Sequence, residues 1–221
     1  MDEVQTFYIS FKKEPRLEEQ LDDLGVKHEH FQAINGYKLE LDHLLNEQII
    51  NLSVYNSITT KFRHSGEEIV SKGAIGCSLS HIKLWEKIVK LNKQDAIYLI
   101  CEADAYIPKK NIKKIRNLYH DIKNIKQPLY MSCGHFSRSD APIQIKSGSL
   151  SGKTYTTMRN AFFGTHGYFI NTKTAQLLLE NVYPICMQID AYISYIANFK
   201  NINMLGPKNN ENFILQKNAN E

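Results

Sequence analysis

Long apolar runs are missing from this chain: none approaches the roughly 20 residues that a membrane-spanning helix needs. The opening Met1-Asp2-Glu3-Val4-Gln5 also lacks the basic-then-apolar order of a secretory leader, so a soluble, cytoplasmic protein is expected. Cysteine is scarce and scattered. Cys77, Cys101, Cys133 and Cys186 make no CxxC and no Cys/His group of metal-site spacing, which points to free buried thiols in a reducing compartment. One-sided charge is absent as well: 27 Lys and Arg against 23 Asp and Glu leave a net charge of +4. That excess is too small for a dedicated nucleic-acid binder and is compatible with an anionic ligand such as a nucleotide diphosphate. Internal repeats are lacking. What is present is a 43% hydrophobic content over 221 residues, enough for one sizeable core and a single domain over 1–221.

The β-branched and aromatic run Thr6–Phe11 reads as a strand, and Pro15 opens a helix that Gly25 ends. His30–Ile34 reads as a second strand closed by the turn pair Asn35-Gly36, so the opening is βαβ-like and predicts a parallel sheet. Residues 40–70 are polar and weakly periodic, an irregular stretch with a short helix around Leu41 to Ile50. Gly73 and Gly76 precede a helix expected to begin near Ser78 or Ser80, with Leu84, Ile88 and Leu91 on one stripe. Ala96–Cys101 is almost wholly apolar, as a central parallel strand covered on both faces would be. Ile112, Ile115, Tyr119 and Ile122 then form the stripe of a basic helix within 109–126, whose lysines make either a solvated face or a peripheral contact with anionic membrane lipid. Leu129–Gly134 is a further strand into a turn, the Ser/Gly/Lys-rich 135–160 a mobile loop, and Gly167–Ile170 a strand before a helix through Leu179.

Glu102 and Asp104 are spaced i, i+2 at the carboxyl end of the buried strand, where open α/β sheets bind ligands. Such a pair serves either as a solvated loop entrance or as oxygen ligands for Mn²⁺ or Mg²⁺ bridging a diphosphate. His81, near the expected helix start, is either a packed histidine or part of a helix N-terminus that holds a phosphate or ribose oxygen.

Gly73-Ala74-Ile75-Gly76-Cys77-Ser78-Leu79-Ser80-His81-Ile82-Lys83-Leu84-Trp85, followed by Cys101-Glu102-Ala103-Asp104, resembles glycosyltransferase family 25, whose lipooligosaccharide and collagen galactosyltransferases carry a GE-IGC-LSH--LW block before an L-EDD strand end. Phe7–Ser10 through Arg16 is similar to the family's first strand and arginine-containing loop, and Ala33–Gly36 to its A-x-D/N-G element. Gly167–Ile170, Gln188-Ile189-Asp190, Leu205-Gly206-Pro207 and Gln216 resemble later family elements, so the likeness covers nearly the whole chain. It departs at Ala74, Ser10 and Ala103, which replace Glu, Asn and the middle acid of Glu-Asp-Asp.

The resemblance implies a GT-A-like α/β fold with a central mostly parallel sheet flanked by helices. It implies transfer of a hexose, galactose or glucose, from a UDP-sugar to an acceptor hydroxyl on a glycan, a lipid-linked glycan or a protein, with inversion and with Mn²⁺ or Mg²⁺ at Glu102 and Asp104. Ser10, Arg16, Asn35, Gly36, Ser80 and His81 would then join those acids in binding the donor. Asp190 is the candidate base, or alternatively a first-turn acid of the helix expected to begin near Ala191. A glycosyltransferase-like domain that has lost turnover and binds a glycan is the rival reading. A nucleotidyltransferase is the third; it would normally show a glycine-rich loop after the first strand, and Phe11-Lys12-Lys13-Glu14 has no glycine.

Overall fold

Alternate side chains of residues 97–101 enter two separate apolar clusters. Tyr98 and Ile100 go to one, and Ile97, Leu99 and Cys101 to the other, the period-two signature of a strand covered on both faces. The computed structural model describes residues 1, 4–63, 65–136, 155–158, 162–207 and 211–217. Within them the chain runs β1 (Gln5–Ser10), α1 (Pro15–Leu24), β2 (Lys27–Gln32), α2 (Leu41–Asn46), α3 (Leu52–Thr60), α4 (Lys72–Lys90), β3 (Ile97–Glu102), β4 (Ala105–Tyr106), α5 (Ile112–Ile122), β5 (Leu129–Ser132), β6 (Tyr155–Thr157), β7 (Gly167–Asn171), α6 (Thr172–Leu179), α7 (Ile189–Phe199), β8 (Asn203–Pro207) and β9 (Leu215–Gln216).

Seven strands form one sheet in the order β2-β1-β3-β7-β5-β8-β6. The opening βαβ unit is as expected: β1 pairs parallel with β2, from Gln5 opposite Lys27 to Ser10 opposite Gln32. On its other side β1 pairs parallel with β3, and β5 pairs parallel with β8. β7 and β6 run against their neighbours, so five strands share a direction and two oppose it. Helices cover both faces. α4, α6 and α7 seal one cluster through Ile82, Trp85, Ile88, Ala175, Leu178 and Ile193, and α1 and α5 seal the other through Leu17, Leu21, Leu24, Ile115, Leu118 and Ile122. The mostly parallel α/β architecture is thus present.

Local chemistry explains the helix limits. α1 begins on Pro15 and ends at Gly25, whose φ of 73° is the left-handed cap expected of glycine. The expected start of α4 near Ser78 is corrected to Lys72, with the Ser71 side chain accepting from the Ala74 N–H at 3.2 Å. Gly73 and Gly76 therefore lie inside the helix, at positions where glycine is ordinarily unfavourable by ~1 kcal/mol. The reason is a close backbone approach: a Cβ on Gly76 would stand 2.5 Å from Gly36 N and Ile34 O, and one on Gly36 only 1.7 Å from Lys72 O. Helix propensity alone predicts that Gly76→Ala stabilises the protein. Packing predicts the reverse, a loss of about 1–3 kcal/mol, visible as a lowered midpoint in thermal denaturation.

Residues 40–70 hold two helices instead of one. Asn51 caps the second by accepting from the Val54 N–H at 2.9 Å, and Leu44 and Val54 anchor the pair in the core. The loop expected at 135–160 lies mostly outside the described residues; at its edges Phe136 bridges to Phe163 and Tyr155–Thr157 forms strand β6. Of the four free thiols, Cys101 and Cys133 are buried as expected and Cys77 and Cys186 are exposed. On the basic helix face, Lys109 pairs with Asp23, Lys114 with Glu211, and Arg116 donates to the carbonyls of Asp23 and Leu24.

Candidate functional site

After β2 the chain crosses back over β1 to place β3 on its far side, so the carboxyl ends of β1 and β3 flank the point where the strand order reverses. A cleft of about 440 Å³ opens there. Ile9, Ser10 and Phe11 leave β1 on one wall, and Glu102, Ala103 and Asp104 leave β3 on its floor. Ala33 to Tyr37 and the α4 residues Gly73, Cys77, Ser80 and His81 close the remaining side. The Gly36–Gly76 approach sets the spacing of that side.

His81 and Glu102 are joined, His81 Nε2 lying 2.9 Å from Glu102 Oε1. The Thr165 hydroxyl donates to the same oxygen, and His81 Nδ1 lies 2.8 Å from the Tyr168 hydroxyl. Burial by itself would raise the Glu102 pKa, but the hydrogen bonds from His81 and the Thr165 hydroxyl outweigh it and hold the carboxyl below its usual range. Asp104 goes the other way. Burial pushes its pKa up and the neighbouring Glu102 carboxylate adds to the rise, against a lowering hydrogen bond from Gln216 at 2.6 Å. Two adjacent acids thus have their pKa values driven apart, a pattern common at functional sites.

Asp104 Oδ1 is buried and has no hydrogen-bond partner among the described residues. A buried, unpaired carboxylate oxygen beside a second carboxylate is an unfavourable arrangement that a hard divalent cation would relieve, so these residues fit Mn²⁺ or Mg²⁺. Cys77, His81 and Glu102 also offer atoms within 4.8 Å of one another. That alternative set is weaker: both His81 nitrogens are already engaged, and desolvation of the sulfur by the surrounding cleft, with three nearby carboxylates, pushes the solvent-reachable Cys77 thiol well up, away from the thiolate a soft metal takes.

Of the other residues expected to bind a donor, the structure brings Ser10, Asn35, Gly36 and Ser80 to the cleft. Their polar groups are used locally. Ser10 donates to the Lys12 carbonyl, and Asn35 accepts from the Tyr37 N–H at 3.0 Å. Ser80 accepts from the Ile34 N–H at 2.8 Å and donates to the Gly76 carbonyl at 2.7 Å. The phosphate-binding helix start expected at Ser80 and His81 is corrected, because these residues lie mid-helix where backbone N–H groups are spent within the helix. Arg16 lines a separate 290 Å³ hollow with Glu19, Gln20, Tyr106 and Lys217. Asp190 is in the first turn of α7, starting at Ile189, and does not line the cleft; its two oxygens accept the N–H groups of Gly164 at 3.0 Å and Ala191 at 2.8 Å. Burial raises its pKa. Phe11, Tyr37, Cys77, Thr165 and Tyr168 were not singled out from sequence; an aromatic directly after a strand end and another after Asn-Gly were the available signals for the first two.

His166, just before the β7 tyrosine, donates through Nε2 to the Ile214 carbonyl at 3.1 Å and is 1% exposed. Burial lowers its pKa from the ordinary 6.5. A depressed histidine contributes stability that is fully present above 6.5 and is lost as pH falls through the folded value. The thermal midpoint is therefore expected to drop as the pH is lowered below 6.5, with a shallower drop in His166→Gln.

Fold and cleft together define an α/β domain with a carboxylate-floored ligand site at the strand-order reversal of its sheet. The chain belongs to the family described as "Glycosyltransferase family 25 (LPS biosynthesis protein)", whose profile matches residues 3–193. It is similar to a glycosyltransferase 25 family member of Aedes aegypti, 26% identical over 83% of this chain and 30% of that protein. It is also similar to the lipooligosaccharide biosynthesis protein lex-1 of Haemophilus influenzae, 26% identical over 53% of this chain and 40% of that one. The chain thus spans under half the length of either relative. Among solved structures, apo UDP-glucose pyrophosphorylase aligns over 92% of this chain and 90% of its own, with 9% identity and a TM-score of 0.47. A glycosyltransferase acting in glycosylation of the PBCV-1 major capsid aligns over 82% and 68%, with 13% identity and a TM-score of 0.38.

Proposed function

We propose that this chain transfers a hexose, galactose or glucose, from a UDP-sugar to an acceptor hydroxyl on a glycan, a lipid-linked glycan or a hydroxylated protein, with inversion and with Mn²⁺ or Mg²⁺ bound. The observation that carries this reading is the buried, unpartnered Asp104 Oδ1 beside Glu102 on the floor of a 440 Å³ cleft, in a chain of glycosyltransferase family 25. Glu102 and Asp104 would hold the metal, which when bound neutralises charge building on the leaving diphosphate. Phe11 and Tyr37, 63% and 73% exposed at the cleft mouth, offer ring faces to the nucleobase. Asp190, outside the cleft lining but near enough for the Glu102 charge to act on it, would take the acceptor proton: each of its oxygens accepts one N–H and keeps a further lone pair, and its raised pKa makes it a stronger base than a free aspartate.

Titration calorimetry with UDP in Mn²⁺ and then in EDTA tests the donor site, and equal affinities in the two buffers would refute it. Release of free hexose from UDP-galactose or UDP-glucose in Mn²⁺ separates a transferase from a domain that only binds a glycan.

A further inference from the structure

Behind Glu102 runs a line of hydrogen bonds that ends in the core. The Trp85 indole Nε1–H, a group that can only donate, is 3.1 Å from the Tyr168 hydroxyl oxygen. Tyr168 is 0% exposed, and its hydroxyl is 2.8 Å from His81 Nδ1, while His81 Nε2 faces the Glu102 carboxylate at 2.9 Å. An ionised carboxylate only accepts, so Nε2 carries the ring proton. Tyr168 then receives from Trp85 and gives its own proton to Nδ1. Every group is satisfied in a single direction, Trp85 to Tyr168 to His81 to Glu102.

The alternatives each leave a fault. Protonation at Nδ1 alone sets the Nε2 lone pair against a carboxylate oxygen. A doubly protonated ring leaves the Tyr168 hydroxyl proton without an acceptor among the described residues. The rings are also fixed in place, with Tyr168 stacked on Tyr130 at 4.9 Å and lying 5.7 Å from His81.

We propose that Trp85 and Tyr168 are positioning residues for Glu102: through His81, held as the Nε2-protonated neutral tautomer, they pin Oε1 and turn the other carboxylate oxygen toward the cleft. Thr165 completes the pin by donating to the same Oε1. The functional consequence rests on the cleft being the metal-assisted donor site; the tautomer does not.

The test pairs a spectrum with a binding measurement. In metal-free protein, nitrogen NMR of His81, assigned against His81→Gln, is expected to show a protonated Nε2 and an unprotonated Nδ1 at neutral pH. Tyr168→Phe is expected to mix the two tautomers and weaken UDP binding in Mn²⁺ by about tenfold, the lower end for outer partners of metal ligands. Tyr130→Phe is the control for disturbing the stack, because its buried hydroxyl has no partner among the described residues and lies outside the line; it is expected to change neither readout. If Tyr168→Phe does not fold, Trp85→Phe, which removes only the first donor, is expected to shift both readouts in the same direction by less. A wild-type His81 protonated at Nδ1 or on both nitrogens overturns the proposal, as does a Tyr168→Phe protein with unchanged spectrum and affinity. Wild-type protein that binds no UDP but shows the expected tautomer overturns the donor reading and leaves the positioning role supported.

Discussion

Asp104→Asn is expected to weaken Mn²⁺-dependent UDP binding and to slow turnover together, each by at least the ~10–100-fold seen when outer partners of metal ligands are removed. A carboxylate that holds the metal grips the diphosphate in the ground state and in the transition state alike, so affinity and rate fall in step. Stability should move the opposite way. The Asp104 carboxyl is pushed up by burial and by Glu102, so its charged form is disfavoured in the folded protein at neutral pH. Removing that charge while keeping an oxygen for the Gln216 amide should leave the thermal midpoint unchanged or raised. Loss of binding accompanied by a fall in the midpoint would instead mark Asp104 as part of the scaffold.

Asp190→Asn should have a different profile, with turnover reduced by about 10²–10⁴-fold and UDP affinity within about twofold of wild type. A base acts only as the acceptor proton moves, so its loss does not register in donor binding. The midpoint should also fall, because an amide cannot accept from both Gly164 and Ala191 with two oxygens. Rates at saturating acceptor decide the matter. Near-normal turnover with a lowered midpoint would make Asp190 a brace for the 164 segment and move the search for a base elsewhere.

Elements whose meaning is local were readable from sequence. Pro15 and Gly25 mark α1 because each has a backbone property that fits one end of a helix. The apolar run of β3 with Glu102 and Asp104 at its end foretold both a buried strand and two acids where the chain leaves it, and both line the cleft. What depended on distant partners was not readable. Gly73 and Gly76 looked like the approach to a helix because glycine is poor inside one, and only the backbone of 34–36, far away in sequence, explains the place of Gly76 in α4. The reversal of β7 between β3 and β5 was equally hidden, since an apolar strand carries no mark of its direction. Tyr168 read as a strand residue, and its bond to His81 spans 87 positions. Arg16 was assigned to the donor by resemblance, yet α1 carries it to another hollow.

The short pairing of β4 with β9 has a consequence for the order in which the protein is made. Gln216 reaches back 112 positions to Asp104, and the Lys217 N–H donates to the Asp104 carbonyl at 2.8 Å. The strands that carry the cleft, β1 and β3, are synthesised by residue 102 and can pair long before then. Domains generally fold as they leave the ribosome, amino end first. A nascent chain ending before residue 215 would thus own a cleft whose second acid is untethered, and that acid is set in place only once residues 215–217 have been made.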